Sequence, residues 1–204
     1  MAQEPAPTHR TWYSRGYHPH MDAPDAFQTI SFRLSDSIPR ELLDAWRSQY
    51  ALGAQCASRH AKAQLRRLIA EYEDRGFGAC HLRDPRVARI VESALHFHDG
   101  KSYRLFEWCV MPNHVHVLIQ QLAGAPLGQV VGSWKTYTAK RANALLGRHG
   151  RFWMADYFDR YIRSPAHFDR ASYYIRHNPV AAGLCEKPED WHWSSANPDA
   201  WPDK

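Results

Sequence analysis

Two histidines stand two residues apart near the middle of the chain, a spacing that suits metal chemistry. The segment 103–121 reads YRLFEWCVMPNHVHVLIQQ, two runs of β-forming residues around a Met-Pro-Asn turn. His114 and His116 lie in the second run, and residues i and i+2 of a strand point to the same face of a sheet. Two imidazoles held side by side on a strand can chelate a metal ion. The alternative interpretation is a polar stripe whose hydrogen bonds are satisfied within the protein.

A tyrosine and an asparagine form a second pair farther along the chain. The sequence predicts a short helix over 166–177 that ends at Asn178, because a residue before proline, here Pro179, is pushed out of the α region. Tyr174 and Asn178 are four residues apart and therefore share one face of this helix. The amide oxygen of Asn178 can ligate a cation, and the phenol oxygen of Tyr174 can attack phosphorus. The alternative interpretation takes Tyr174 as a core aromatic and Asn178 as a helix C-cap.

The two pairs would form one catalytic centre if this helix face packs against the strand face. His114, His116 and Asn178 then supply three neutral ligands, which leave a bound cation its full charge for polarising a phosphate. A phenol, with a reference pKa near ~10, is a sufficient nucleophile toward a phosphate polarised in this way. The pattern therefore predicts phosphoryl transfer through a covalent intermediate on Tyr174.

The elements around these residues predict an α+β fold. A first strand is expected over 26–34, helices follow over 41–75 and from Asp84-Pro85 onward, and a strand pair comes next. A further helix is predicted over 127–146. Two β-α-β passes with a central hairpin are typical of an antiparallel sheet backed by helices, in a ferredoxin-like or RRM-like arrangement.

The chain divides into three parts by composition. Residues 1–25 are rich in proline and lack a hydrophobic period, so they are predicted to form an extended N-terminal arm. Residues 26–183 hold the predicted elements and form the catalytic domain. Residues 184–204 carry three tryptophans and are predicted to pack back on that domain as an aromatic tail.

The charge balance indicates an anionic partner. The 204 residues carry a formal net charge of +5, and aromatic residues are mixed with the basic ones, as suits phosphate contact and base stacking. Phosphate contacts are predicted on the helix after the histidines, at Lys135, Lys140 and Arg141. A second basic patch on the earlier helical region is more often a solvated helix face than a DNA surface. That patch consists of Arg59, Lys62, Arg66 and Arg67.

Cysteine use and hydropathy narrow the class of protein. The cysteines Cys56, Cys80, Cys109 and Cys185 are scattered and form no CxxC pair, so neither a zinc ribbon nor a disulfide framework is expected. No stretch approaches the ~18 apolar residues that a membrane span needs, and the N-terminus lacks an apolar leader segment. We therefore expect a cytoplasmic protein with no membrane partner.

Four segments together resemble a known family. They read PNHVHVL, SWKTYTAKRAN, GRFWMADYFDRYIR and YYIRHNPVAAGL, and the likeness runs from about Arg15 to Ser195. The combination is similar to that of the REP-associated tyrosine transposases, which belong to the single-tyrosine, IS200-like transposases of the HUH endonuclease superfamily. The paired histidines alone are a weak signal, whereas their combination with the later tyrosine and asparagine segment is specific.

This resemblance implies roles for individual residues. His114 and His116 would be the HUH histidines, Tyr174 the nucleophile and Asn178 the third metal ligand. The implied activity is cleavage and rejoining of single-stranded DNA beside a palindromic hairpin through a 5′-phosphotyrosine intermediate, with Mg²⁺ or Mn²⁺. The choice of metal comes from the resemblance alone, since paired imidazoles favour softer ions such as zinc.

Two other functions remain open from the sequence. One is a hairpin-binding DNA protein without transposition activity, and the other is an unrelated metal-dependent phosphoesterase in which Tyr174 only packs. The lack of Asp or Glu beside the two histidines counts against the phosphoesterase. A monomer and a homodimer are equally compatible with the motifs.

Overall fold

A four-stranded antiparallel sheet forms the centre of the structure, a computed structural model that describes residues 12–14, 19–50 and 59–201. Its strands are β3, β4, β5 and β6, and a separate hairpin is formed by β1 and β2. The strands of the described residues are β1 Trp12–Ser14, β2 Pro19–Met21, β3 Phe27–Arg33, β4 Tyr103–Val110, β5 His114–Gln121 and β6 Phe158–Tyr161. The helices are α1 Arg40–Gln49, α2 Arg59–Asp74, α3 Pro85–Phe97, α4 Leu127–Leu145 and α5 Pro165–Ala181.

The order of the strands confirms the predicted fold class. The sheet runs β4-β5-β3-β6 with every neighbouring pair antiparallel. Strand β3, the hairpin β4–β5 and strand β6 are joined through helices, which is the ferredoxin-like connection of an α+β fold. Three short 3-10 helices complete the described elements, at His81–Arg83, Pro188–Asp190 and Pro198–Ala200.

The main core lies on one face of the sheet, under α3 and α4. Strand alternation sends Ile30 and Phe32 of β3 to this face, and Leu34 directly after the strand joins them; all three are buried. Val115 and Val117 of β5 pack beside them. Helix α4 closes the layer through Trp134, and helix α3 through its apolar side, so this face is filled by aliphatic and aromatic side chains.

The opposite face carries a smaller core under α5, and here the histidines emerge. Leu118 of β5 packs with Ile175 of α5 and with Met111 from the hairpin turn. Ser31 pairs with His116, and Arg33 pairs with His114, across the β3–β5 ladder. Since directly paired residues of an antiparallel ladder point the same way, both histidines face α5 rather than the main core.

Helix α2 also covers this second face, near its edge. Arg33 donates to Glu73 at 3.0 Å, and Glu73 is buried at the C-terminal end of α2. The guanidinium of Arg66 lies 5.5 Å from the ring centre of Phe158 on β6. Helices α2 and α5 therefore share the face of the sheet that holds the histidines.

The segments at the two ends of the described chain contact the sheet. His20 on β2 is buried and lies 2.5 Å from Asp159 of β6. Near the C-terminus, Val110 donates to the backbone oxygen of Trp193 at 2.8 Å, and Trp201 stacks edge-on against Trp108, so this segment covers the outer edge of β4. The division into an arm over 1–25, a domain over 26–183 and a tail over 184–204 stays a prediction. Residues 1–11, 15–18 and 202–204 lie outside the described residues, as does Cys56.

The end of helix α5 was predicted wrongly. Instead of stopping at Asn178, the helix continues through Pro179 to Ala181. Pro179 cannot donate to the carbonyl of Ile175 and its ring crowds that carbonyl, but so close to the end of the helix this affects a single hydrogen bond of the last turn. Asn178 therefore lies within regular helical backbone, and the geometry of the helix sets the direction of its side chain.

In the described part of the chain, no helix combines the length and the apolar character needed to cross a membrane.

Candidate active site

The turn between β4 and β5 fixes the position of the two histidines. Met111 donates to the backbone oxygen of His114 at 2.9 Å, which closes a tight hairpin. His114 and His116 are buried, and their rings meet edge to face with centres 4.7 Å apart. The pair is thus held by strand geometry before any ligand binds, as the spacing of the two residues predicted.

One nitrogen of each imidazole is occupied by a neighbouring side chain. Nδ1 of His114 lies 2.7 Å from Oδ1 of Asn113, and the amide of Asn113 donates in turn to the backbone oxygen of Phe77 at 2.9 Å. That second bond fixes the orientation of the amide, so it is the side-chain oxygen of Asn113 that faces His114. This oxygen can only accept a hydrogen bond, and Nδ1 of His114 therefore carries the proton. Nδ1 of His116 lies 2.8 Å from the hydroxyl of Ser31. The Nε2 atom of His114 is left with its lone pair free for a ligand.

Burial keeps both imidazoles neutral. It lowers the pKa of His114 well below its ordinary value, and the nearby His116 and Arg33 lower it further. Burial lowers the pKa of His116 to about 4. A neutral imidazole is the form that ligates a metal.

Helix α5 brings Asn178 and Tyr174 to the same place. Asn178 is buried, and the ring of Tyr174 meets the ring of His116 edge-on at 5.4 Å between centres. The side chain of Tyr174 remains 47% exposed, so it is not a core residue. Since the helix continues beyond Asn178, that residue is not a C-cap. The structure places Tyr174 against His116 and keeps Asn178 on the same face of α5, while the roles of the four residues stay predictions.

The buried polar atoms at this place fit a cation. Nε2 of His114, Nε2 of His116 and both amide atoms of Asn178 are buried without a hydrogen-bond partner among the described residues. Buried polar atoms without partners are rare, and here two imidazoles on β5 and the amide of Asn178 on the facing helix α5 have them. No group of three His, Cys, Asp or Glu side chains within the described ranges is arranged to hold a metal, and the role of Asn178 as third ligand stays a prediction.

A carboxylate that the sequence did not point to stands beside the pair. Asp74 is the last residue of α2, and its Oδ1 lies 3.8 Å from Nε2 of His114. That oxygen is also buried without a hydrogen-bond partner among the described residues. Burial raises the pKa of Asp74 to about 6, and the charge of Glu71 contributes to the rise. No local sequence signal connects Asp74 with the histidines, because α2 reaches them only through the tertiary fold.

The electrostatics of the site without a cation hold Tyr174 as a neutral phenol. Burial raises the pKa of Tyr174 to about 12, and the charge of Asp74 also raises it, whereas the neighbouring Asn178 opposes this effect. The adjacent Tyr173 is 63% exposed and stacks on His177 with ring centres 3.7 Å apart. Tyr173 therefore points away from the histidines, and only Tyr174 faces them.

The predicted phosphate contacts on α4 lie apart from these residues. Helix α4 packs on the main-core face of the sheet, opposite to the histidines. Nζ of Lys135 donates to the backbone oxygen of Ala155 at 2.7 Å, whereas Lys140 and Arg141 are exposed. The role of the three cations in DNA binding stays a prediction.

We expect Asn113→Ala to weaken metal binding, because it removes the acceptor that sets the protonation of His114. Changes to the partners of metal-ligating histidines typically reduce metal affinity about 10- to 100-fold. Titration of the purified protein with Mn²⁺, followed by calorimetry, measures the effect. Asn197→Ala, at a position in the C-terminal segment far from the histidines in sequence, is the control. An unchanged affinity in Asn113→Ala would show that the amide does not support a metal ligand.

Comparisons with known proteins found a similar fold and a matching family model. Among curated protein sequences, none matches the chain. A solved structure of a REP-associated tyrosine transposase bound to a REP hairpin has a similar fold, with a TM-score of 0.52 and 15% sequence identity. The likeness covers 94% of this chain and 91% of that one. Residues 81–178, which include both histidines, Tyr174 and Asn178, match the family model of IS200-like transposases, in agreement with the resemblance seen in the sequence.

Proposed function

We propose that the protein is a metal-dependent single-stranded DNA endonuclease and strand transferase that acts in DNA transposition. The observation that carries this proposal is the convergence of three buried, unpartnered ligand side chains with a half-exposed tyrosine. The substrate we propose is the single strand beside a palindromic hairpin of the REP type. It is supported by the family match and by the similar structure, whose protein is bound to a REP hairpin.

The chemistry that Tyr174 performs is a transesterification. Its phenol oxygen attacks the phosphorus of the scissile phosphate, a bond forms between that oxygen and phosphorus, and the bond from phosphorus to the 3′ oxygen breaks. The phenol loses its proton to solvent, and the departing 3′ oxygen takes one up. The products are a 5′-phosphotyrosine and a free 3′ hydroxyl. Attack by a 3′ hydroxyl on the phosphotyrosine reverses the step and rejoins the DNA, without an external energy source.

The ligand residues of the proposed site are His114, His116 and Asn178, and the ion is Mg²⁺ or Mn²⁺. When bound, a divalent cation supplies positive charge that polarises the scissile phosphate. The protein orients the ligands beforehand, through Asn113 for one imidazole and Ser31 for the other. In a single chain Tyr174 already lies against His116, which supports a tyrosine that acts in cis, in a monomer or within each subunit of a homodimer. We place this activity in the cytoplasm.

A covalent-adduct assay tests the proposal. A labelled oligonucleotide that carries a palindromic hairpin and a single-stranded flank of randomised sequence is incubated with the protein and Mn²⁺ or Mg²⁺. We expect a protein–DNA adduct that survives a denaturing gel, with the mass of a phosphotyrosine-linked strand. Binding without an adduct would support the hairpin-binding function instead. Free cleaved product without an adduct would indicate a metal-dependent phosphoesterase in which Tyr174 is not the nucleophile.

We also propose that Lys135, Lys140 and Arg141 of α4 contact DNA phosphates. Lys140→Gln and Arg141→Gln should each weaken hairpin binding irrespective of sequence and reduce the slope of log affinity against log salt by about 1. Fluorescence anisotropy at several salt concentrations measures both quantities. If neither variant changes the slope, the exposed side of α4 is a solvated surface and the DNA lies elsewhere.

A further inference from the structure

A cluster of arginines lies on the same face of the sheet as the histidines. Arg66 comes from α2, Arg160 from β6, Arg163 from the following connection and Arg170 from α5. Burial lowers the pKa of His167 on α5, and the positive charges of Arg160, Arg170 and Arg163 lower it further. Burial and the charge of Arg160 likewise lower the pKa of Arg66. Arg160 points to the same face of the sheet as the histidines, Arg66 lies over Phe158 of the same strand, and Arg163 and Arg170 follow in the next segments. We name these four arginines the arginine groove.

Within the described part of the chain, no carboxylate forms an ion pair with these charges. None of the salt bridges there involves an arginine of the groove, whereas Arg33 and Arg67 each pair with a glutamate. Asp169 is the single acidic residue of α5, and it is exposed. Like charges that come from four neighbouring segments repel one another, and an anion that bridges them relieves the repulsion. Guanidinium groups suit phosphate in particular, because their planar fork of donors matches its oxygens.

Helix α5 leads from the arginine groove directly to the reactive tyrosine. Arg170, Tyr174 and Asn178 follow one another at intervals of four residues, so they lie on one face of the helix in successive turns. One turn advances about 5.4 Å, which is close to the spacing of neighbouring phosphates along an extended single strand. A phosphate bound by Arg170 would therefore be one or two nucleotides from a phosphate at Tyr174.

The pairing of strand β6 shows that its side chains Phe158 and Arg160 point to the face of the sheet that holds the histidines. Phe158 pairs with Ser31, and Arg160 pairs with Thr29, across the β3–β6 ladder. Ser31 is also the residue that holds Nδ1 of His116. Because paired residues share a face, Phe158 and Arg160 line the sheet beside the histidines.

An aromatic ring accompanies the positive charges. The guanidinium of Arg66 on α2 lies 5.5 Å from the ring centre of Phe158 on β6, and this ring is half-buried. Grooves that combine arginines with aromatic side chains are typical of single-strand binding, since an unpaired base can stack on a ring while phosphates meet the charges. The bases of a duplex are stacked on one another and do not offer this contact.

We propose that the arginine groove binds the backbone of the single-stranded flank and guides it to Tyr174, whereas the hairpin stem binds elsewhere. This inference rests on the proposed function, because it assigns the path of the strand that Tyr174 cleaves. The ligand class is single-stranded DNA, recognised through its phosphates.

Two probes separate flank from stem. One is a fluorescein-labelled hairpin with an oligothymidine flank, and the other is the same hairpin with a blunt end. Arg160→Gln, Arg163→Gln and Arg170→Gln are compared singly with Lys101→Gln, an exposed cation in the turn before β4, at the opposite end of that strand from the histidine turn. For each arginine variant we expect weaker binding of the flanked probe, with a salt slope reduced by about 0.7 per lost phosphate contact. Binding of the blunt hairpin should not change, and Lys101→Gln should bind both probes as the wild type does.

The outcomes distinguish this inference from the proposed function. Wild-type salt slopes for the flanked probe in all three arginine variants would overturn the groove, as would an equal loss for both probes, which would place the stem there. If the wild-type protein forms no covalent adduct but the arginine variants selectively lose the flanked probe, the groove stands and the proposed activity fails. If the wild type forms the adduct but the slopes of the variants are unchanged, the proposed activity stands and the groove fails.

Discussion

Tyr174→Phe is expected to form no covalent adduct with DNA, while Tyr173→Phe forms it as the wild type does. Only Tyr174 faces His116, with ring centres 5.4 Å apart, whereas Tyr173 stacks on His177 at the helix surface. The substitution removes one hydroxyl, so it eliminates the nucleophile and leaves the aromatic packing in place. Stability should change by about 1 kcal/mol or less, and hairpin affinity should be retained. A denaturing gel and intact-protein mass spectrometry measure the adduct, and anisotropy measures binding.

The matched pair of tyrosine variants also tests the register of α5. An adduct that persists in Tyr174→Phe and disappears in Tyr173→Phe would place the nucleophile about 100° away around the helix. The amide of Asn178, one turn after Tyr174, would then no longer share a face with the nucleophile. That result would remove Asn178 from the proposed ligand set as well.

The local pairings of the site were predictable because they depend only on chain geometry. A spacing of two places His114 and His116 on one face of a strand, and a spacing of four places Tyr174 and Asn178 on one face of a helix. That the two faces meet does not follow from either spacing. It depends on α5 packing across β4 and β5, and the sequence indicated this only through the resemblance to a family.

The residues that support the site were harder to predict, since tertiary contacts create their roles. Asn113 has the sequence context of a turn residue, yet its amide bridges His114 and the backbone of Phe77. Asp74 has the context of an amphipathic helix end, yet it approaches His114 because Glu73 anchors that helix end to Arg33. The prediction that α5 ends at Asn178 failed because proline disfavours helix in the residue before it without forbidding it in a last turn.

The two basic surfaces also differ in how far the sequence could predict them. The patch on α4 could be predicted because its cations are close in sequence, and the fold places that helix on the face away from the histidines. Three members of the arginine groove, Arg160, Arg163 and Arg170, are close in sequence, but only the fold brings Arg66 of α2 to the same strand. The face to which Arg160 points depends on the pairing of β6 with β3, which the sequence did not predict.

His114→Ala and His116→Ala are expected to abolish adduct formation and cleavage in Mg²⁺ or Mn²⁺. Each substitution removes one of the unpartnered Nε2 atoms that would ligate the cation. Hairpin affinity should largely remain, because contacts to backbone phosphates dominate protein–DNA binding. A ligand present at about 100 times its Kd stabilises a folded protein by about 2.7 kcal/mol. Mn²⁺ should therefore raise the Tm of the wild type and leave the Tm of both variants unchanged.

Loss of folding has to be separated from loss of metal in these variants. His114→Ala leaves the carbonyl of Asn113 without its partner in a buried position, which costs about 1–3 kcal/mol even without metal. The comparison that decides is therefore the Mn²⁺-dependent change in Tm within each variant, not the Tm itself. His192→Ala, at an exposed position near the C-terminus, should keep both the Mn²⁺ response and the adduct.

Full cleavage by either histidine variant, or undiminished wild-type cleavage in a chelator, would remove the metal from the mechanism. Tyr174 would then have to be activated by groups of the protein alone, and Asp74 would be the first residue to test.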